Sequence, residues 1–410
     1  MEVPVVALAA AAEDRVGSRW QLARAAWAVT AVFALSNSPT PLYVFWQQQI
    51  RFSSATLTLV FAAYIAGLIG ALLVAGRAAD TYGRKRVVVP GIFIALVSAA
   101  LFMVANTVAA LIVARLLVGV AVGIVVSAGM AAIVDLGGEG RRGSTSMLAS
   151  VAMVFGAGLG PLMGGAVYQV TDSPVLPVFT VNVTLLIAAL IGYVRLPLPR
   201  PARQPHAGPA GFPWPRLPYV PSRNRTHIAS GAAVFAPGLT ATSFVLSLGP
   251  SLLILAVGTA SPLLAGGAAS LMFLAATGSQ LALTGLTVDR LFALGAASTV
   301  FAMVGVILTV LTESPVLFVA AAVLAGTGQG LGQLGGLRLI AQHVETQRRA
   351  EANAALNISA YLPAAVLTVA TGYAVSGWGM PAAATALGGV LATLAVVLGI
   401  AAYQWNSQRV

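Results

Sequence analysis

The sequence predicts an all-α polytopic membrane protein: twelve transmembrane helices in two pseudo-symmetric six-helix bundles, with both termini cytoplasmic. Three observations carry that reading. Of 410 residues, 58% are hydrophobic and only 8% charged, with a mean hydropathy of +0.91. A soluble domain carries roughly 25% charged residues, so this chain belongs in lipid. Its apolar residues fall into runs of about 20, the length that crosses the hydrocarbon core. Finally, the net charge of +11 is concentrated in the connections between those runs.

Twelve runs meet the length requirement: 23–46, 55–76, 86–107, 109–134, 144–169, 175–196, 228–249, 261–285, 291–312, 314–340, 351–374 and 379–403. Pro250, Gly258 and Pro262 interrupt the stretch 240–285, which divides into the seventh and eighth spans. With the N-terminus in the cytoplasm, the cytoplasmic connections hold Arg77, Arg84, Lys85, Arg86, Arg141, Arg142, Arg195, Arg290, Arg348 and Arg349, whereas only Arg51 falls on an external one. This is the positive-inside bias of a plasma or bacterial inner membrane protein. The charge is therefore a topology signal, with some attraction to anionic membrane lipids, and nucleic acid is not an expected partner. The N-terminus has no basic n-region, so a cleaved signal peptide is not expected.

From Pro197 to Thr226 the chain is polar and rich in proline, which reads as an extended linker. The expected organisation is a tail (1–22), a first bundle (23–196), the linker (197–227), a second bundle (228–403) and a short tail (404–410). The halves resemble each other. A shift of 207 residues lays Gly119 on Gly326, Gly123 on Gly330, and Arg141–Arg142 on Arg348–Arg349. Parallel six-span repeats are a transporter architecture, with the substrate site between the halves near the midplane.

Between the second and third spans lies Gly76-Arg-Ala-Ala-Asp80-Thr-Tyr-Gly83-Arg84-Lys85-Arg86, read as one short charged turn at a membrane edge. Gly285, Asp289 and Arg290 repeat part of it in the second half, with a two-residue insertion. These motifs resemble those of the major facilitator superfamily. The family pattern Gly-x-x-x-Asp-Arg/Lys-x-Gly-Arg/Lys-Arg/Lys is met by Gly76, Asp80, Gly83, Arg84 and Lys85, with Thr81 at a usually basic place. The resemblance implies a cytoplasmic latch in which Asp80 caps the next span or pairs with arginine. Arg141 and Arg142 are the natural partners, and Asp135 is a second acid nearby. The alternative is ordinary positive-inside charge with turn glycines.

Arg115 is the one arginine deep in an apolar span. An intramembrane charge costs at least about 2.5 kcal/mol, so it usually faces the bundle interior. It resembles the family's span-four arginine, with Val118 where that pattern has glutamine, which implies a part in proton transfer or in polarising a nearby acid. Snorkelling to the headgroups is the alternative. In the fifth span, Gly156, Gly160, Pro161, Gly164 and Gly165 resemble the Gly-Pro motif of drug:proton antiporters, implying a bend and a seal against leak. Close helix packing alone is the other reading.

None of the eleven acids is central in a span, so proton coupling would fall to edge acids such as Asp80 or Asp135. Polar and aromatic residues within spans are the candidate cavity lining: Asn37, Tyr43, Tyr64, Gln280, Gln329, Gln333, Asn357 and Tyr361, together with Arg115. The expected function is secondary export of small amphiphilic or lipophilic compounds by alternating access, in exchange for protons. The alternatives are an uncoupled facilitator and a non-transporting sensor. The chain has no cysteine and no catalytic spacing, and its three histidines lie in or beside polar connections. No enzyme activity, metal or cofactor is expected, and a monomer suffices for the mechanism.

Overall fold

The computed structural model describes residues 17–198, 221–345 and 348–407. The predicted N-terminal tail up to residue 16, the linker from 199 to 220 and residues 408–410 lie outside them. All regular structure among the described residues is helical.

The first half opens with α1 (Arg19–Asn37), started by a capping box in which Ser18 and Gln21 exchange side-chain-to-backbone hydrogen bonds. A short 3-10 turn (Thr40–Leu42) then leads into α2 (Tyr43–Ile50). The break follows from Pro39 and Pro41, which have no N–H to bond the carbonyls of Leu35 and Asn37. Next come α3 (Ser54–Tyr82), α4 (Arg84–Met103) and α5 (Val108–Ile124). A π-helical turn (Val125–Gly129) joins α5 to α6 (Met130–Gly137), and α7 (Arg142–Gln169) and α8 (Val175–Val194) complete the half.

The second half comprises α9 (Ser222–Ser247), α10 (Gly249–Val257), α11 (Pro262–Ala282), α12 (Val288–Thr312), α13 (Pro315–His343), α14 (Arg349–Trp378) and α15 (Met380–Ser407). Eleven helices among the described residues are long and apolar enough to cross a membrane, with α5 through α6 counted as one. The predicted first span is not one of them. Its polar ends lower the hydropathy of α1, yet residues 28–37 are buried without interruption. A helix buried all round sits at the centre of a bundle; α9 does the same in the second half, with 83% of its apolar window buried. At the periphery, α4, α8, α12 and α15 expose Phe93, Ile187, Phe301 and Val397, as lipid-facing helices do.

Two sequence expectations need correction. The stretch 76–86 is not a turn: α3 runs on to Tyr82 and α4 starts at Arg84, so Gly83 alone reverses the chain. Its φ of 94° is open to glycine at little cost. The seventh span, expected to end near residue 249, continues as α10 to Val257, and the gap before α11 holds Gly258.

The 207-residue register has a structural counterpart. Gly119 and Gly123 lie against the α3 backbone at Tyr64 and Leu68, and Gly326 and Gly330 lie against α11 at Met272 and Ala276. Arg51, ending α2, and Gly258, ending α10, both take the left-handed conformation, with φ of 59° and 79°.

Candidate functional site

A cavity of about 680 Å³ lies between the halves, bordered by α1, α3, α5 and α7 on one side and α9, α11, α13 and α14 on the other. That is ample for a drug-sized ligand. It extends from Ser36 and Arg115 to Arg77, Asp80 and Glu351 at the end of the molecule that carries the charged α3–α4 junction. At the opposite end lies a crevice of about 10 Å³, between Pro41, Val44, Tyr168 and Pro262.

Glycine sets how closely α7 packs on its neighbours, within its half and across to the other. Gly156, Gly160 and Gly164 follow one face of α7, and a Cβ on any of them would strike the backbone of Thr30, Ala34 or Ser38 in the first span. Gly165 and Gly266 instead bring α7 against α11, where added Cβ atoms would lie 2.4 Å from the Pro262 oxygen and 2.2 Å from the Pro161 oxygen. Ser270 Oγ donates to the Gly158 carbonyl at 2.6 Å across the same contact. The second half mirrors this: Gly372 of α14 meets Thr58 and Ser54 of α3, and Ala55 N donates to Ser376 Oγ at 3.3 Å. Despite Pro161, α7 remains one continuous helix.

Of the residues expected to line a cavity, Asn37, Tyr64, Arg115, Gln280, Gln329, Gln333, Asn357 and Tyr361 all border it. Tyr43 does not; the proline break turns it into the packing behind Arg115, where it is fully buried. Phe33, Phe61, Leu246 and Phe273 supply apolar surface. The second-half wall carries the amides. Gln280 Nε2 donates to the Gly330 carbonyl at 3.0 Å and to Gln333 Oε1 at 3.1 Å, and Asn357 Nδ2 donates to the Asn353 carbonyl at 2.8 Å.

Arg115 does not snorkel: it is 1% exposed. Its Nη1 donates to the Ser36 carbonyl at 2.6 Å, at the C-terminal end of α1. The last carbonyls of a helix lack intrahelical donors, and the helix dipole gives them partial negative charge. The rings of Tyr43, Phe61 and Tyr64 surround the guanidinium at 5.3 to 5.5 Å from their centroids. A helix end and three π faces thus take the place of a counter-acid, and among the described residues no carboxylate pairs with Arg115.

At the charged end, Arg84 is the hub. Its Nη1 sits 2.8 Å from Asp80 Oδ1 and its Nε donates to Asp135 Oδ2 at 3.2 Å. Asp80 does not cap α4, whose first residue follows an N-cap glycine without a side-chain bond. Nor does it take Arg141, whose Nη2 and Nε donate to the carbonyls of Gly17 and Gly137 at 2.8 and 3.4 Å. Lys85 Nζ donates to the Leu196 carbonyl at 3.1 Å, and Arg142 is exposed at the start of α7. Gly76 lies inside α3 with open space around it. In the second half, Gly285 belongs to a true loop between α11 and α12, Asp289 is in the first turn of α12, and Arg290 follows it. Arg338 donates to the carbonyls of Thr284 and Leu286 and so braces that loop.

Three features escaped the sequence reading. Arg77 of α3 reaches Glu351 of α14 at 3.9 Å, joining the two halves at the charged end. Asn353 borders the cavity with its Oδ1 buried and without a hydrogen bond. The π-helical turn sets Val126 and Ser127 on the cavity wall. Asn353 had a signal in the sequence, as a polar residue at the start of an apolar run, whereas the pairing of Arg77 with Glu351 and the π turn had none.

The chain has measurable likeness to known proteins. It is 30% identical over 207 residues to the MFS-type transporter EfpA of Mycobacterium tuberculosis, covering 50% of this chain and 34% of that one. It is 31% identical over 113 residues to the multidrug resistance protein MdtL of Escherichia coli, covering 27% of this chain and 29% of that one. The chain thus spans about a third of the length of these curated relatives. Among solved structures, a variant of the nucleoside transporter NupG superposes with a TM-score of 0.72 at 14% identity, covering 94% of this chain and 99% of that one. A bacterial homologue of the human lysosomal transporter Spinster, inward-facing and unoccupied, gives 0.71 at 16% identity, covering 95% and 98%. A family model described as Major Facilitator Superfamily matches residues 25–368. The chain is a multi-pass membrane protein that belongs to the Major Facilitator Superfamily of transporters.

Proposed function

We propose that this protein is a twelve-span secondary transporter that exports small amphiphilic or lipophilic molecules by alternating access. Its bundles span 23–196 and 228–403, and the broken helix α1–α2 serves as the twelfth span. The carrying observation is the cavity between the halves, wide toward the charged α3–α4 junction and sealed by glycine contacts at the other end. By the positive-inside rule the charged end is cytoplasmic. That makes this the inward-facing state, with both termini in the cytoplasm and the cavity loading from inside a bacterial cell across its inner membrane. A monomer holds the whole path. The multidrug name of one relative supports export.

A second reading, uncoupled facilitation, has its own support. Asp80 and Asp135 are both tied to Arg84, away from the deep cavity, so no free carboxylate stands beside the substrate path among the described residues. The test is the pH gradient of inside-out vesicles holding this protein, challenged with lipophilic drugs and organic acids. Gradient collapse on adding a compound, abolished by Asp80→Asn, supports antiport. Flux that leaves the gradient untouched supports the facilitator, and absence of any protein-dependent flux overturns both.

A further inference from the structure

Resting on that reading of the cavity as a substrate path, we propose that the preferred substrates are monoanionic amphiphiles whose oxyanion, a carboxylate or sulfonate, sits on Arg115. The Arg115 guanidinium borders the cavity and is all but fully buried, yet only part of its donor capacity is used. Nη1 is held by the Ser36 carbonyl, whereas the buried Nε–H meets no acceptor. Buried polar groups are normally paired, and each exception calls for a reason. A guanidinium with a free edge matches the two oxygens of an oxyanion.

The charge around it selects sign and magnitude. The acids bordering the cavity are Asp80 and Glu351, both at its mouth, so the deep end carries a cation and no acid. The α1 C-terminus contributes about half a negative charge, which leaves room for one anionic group rather than two. Under the 207-residue shift Arg115 corresponds to Ala322, so the second half presents no counterpart cation. It presents carboxamides instead, at Gln280, Gln329, Gln333 and Asn357, and the unpaired Oδ1 of Asn353 awaits a donor. One wall reads charge and the other reads hydrogen bonds, with Phe61 and Tyr64 flanking the apolar body between them.

The test uses the purified full chain in nanodiscs, titrated with three dyes of one body: dansyl sulfonate (anionic), dansyl amide (neutral) and dansyl cadaverine (cationic). The expected result is binding of the sulfonate at least tenfold tighter than either companion. Arg115→Gln should erase that preference, and Arg115→Lys, which keeps charge but not the fork, should fall between. If the Arg115 variants do not fold, the charge preference of the unaltered protein decides alone. No preference for the anion, or a preference that survives Arg115→Gln, overturns the proposal. Flux of the same dyes in proteoliposomes separates the two readings. Neutral-dye export without anion preference leaves transport standing and removes the Arg115 subsite, whereas anion binding without flux does the reverse.

Discussion

Replacing Gly266 by alanine would put a methyl group 2.2 Å from the Pro161 carbonyl oxygen and 2.9 Å from its carbon. Both obstacles are backbone, so no side chain can swing aside. Ordinary contact begins near 3.4 Å, and the shortfall of 1.2 Å has to come from retreat of α11 from α7. Overpacking of this kind costs about 1–3 kcal/mol. The penalty falls only on the conformation that apposes the two helices; when the halves part at this end it vanishes. At about 2 kcal/mol the equilibrium moves roughly 30-fold toward the opposite conformation. The neighbouring Gly267 has nothing within 4 Å of its would-be Cβ, which makes Gly267→Ala a matched control. The chain has no cysteine, so a single Val44→Cys at the sealed end can report opening through an impermeant maleimide. Labelling should quicken roughly 30-fold with Gly266→Ala and stay unchanged with Gly267→Ala. Equal rates in the two variants would sink the idea that backbone apposition holds this end shut.

Three further predictions concern single contacts. Ser270→Ala removes the 2.6 Å bond to the Gly158 carbonyl; intramembrane bonds average about 0.6 kcal/mol, so Val44→Cys labelling should rise only about threefold. Asn182→Ala removes a fully buried amide that donates to Ser38 Oγ at 3.1 Å and to the Val178 carbonyl at 2.9 Å. Loss of these bonds should cost about 1 kcal/mol in reversible detergent unfolding without changing dye selectivity. Glu351→Gln breaks the half-exposed pair with Arg77. Such pairs are worth about 0–1 kcal/mol, so its melting temperature should match the parent's in high salt, and a large drop there would contradict the assignment.

Much of this molecule was legible in the sequence because lipid punishes polar residues. Gln280, Gln329, Gln333 and Asn357 stand out within apolar runs, and all of them border the cavity. The spacing of Gly119 and Gly123, repeated at Gly326 and Gly330, likewise corresponds to equivalent helix contacts. Tyr43 and Tyr64 looked alike as polar aromatics within spans. What separates them is the break at Pro39 and Pro41, which rotates one away from the cavity and leaves the other on it. The charged motif was misjudged for a different reason. Glycine and charge read as turn chemistry, yet α3 carries Gly76 through without a break because a helix already bounded by long apolar packing tolerates it. The choice of Glu351 by Arg77 joins residues in different halves, and only the docking of those halves decides it.

The sealed end of the molecule has a mechanical property that follows from its lack of side chains. Helices that mesh through large residues must unmesh to move, and every displaced rotamer adds to the barrier. Where α7 meets α11, Gly165 and Gly266 lie directly on peptide backbone, with little to disengage. Such faces can lie close enough to exclude a passing ion, yet slide apart as smooth plates. Tight closure and low friction, usually opposed, are here supplied by the same missing atoms.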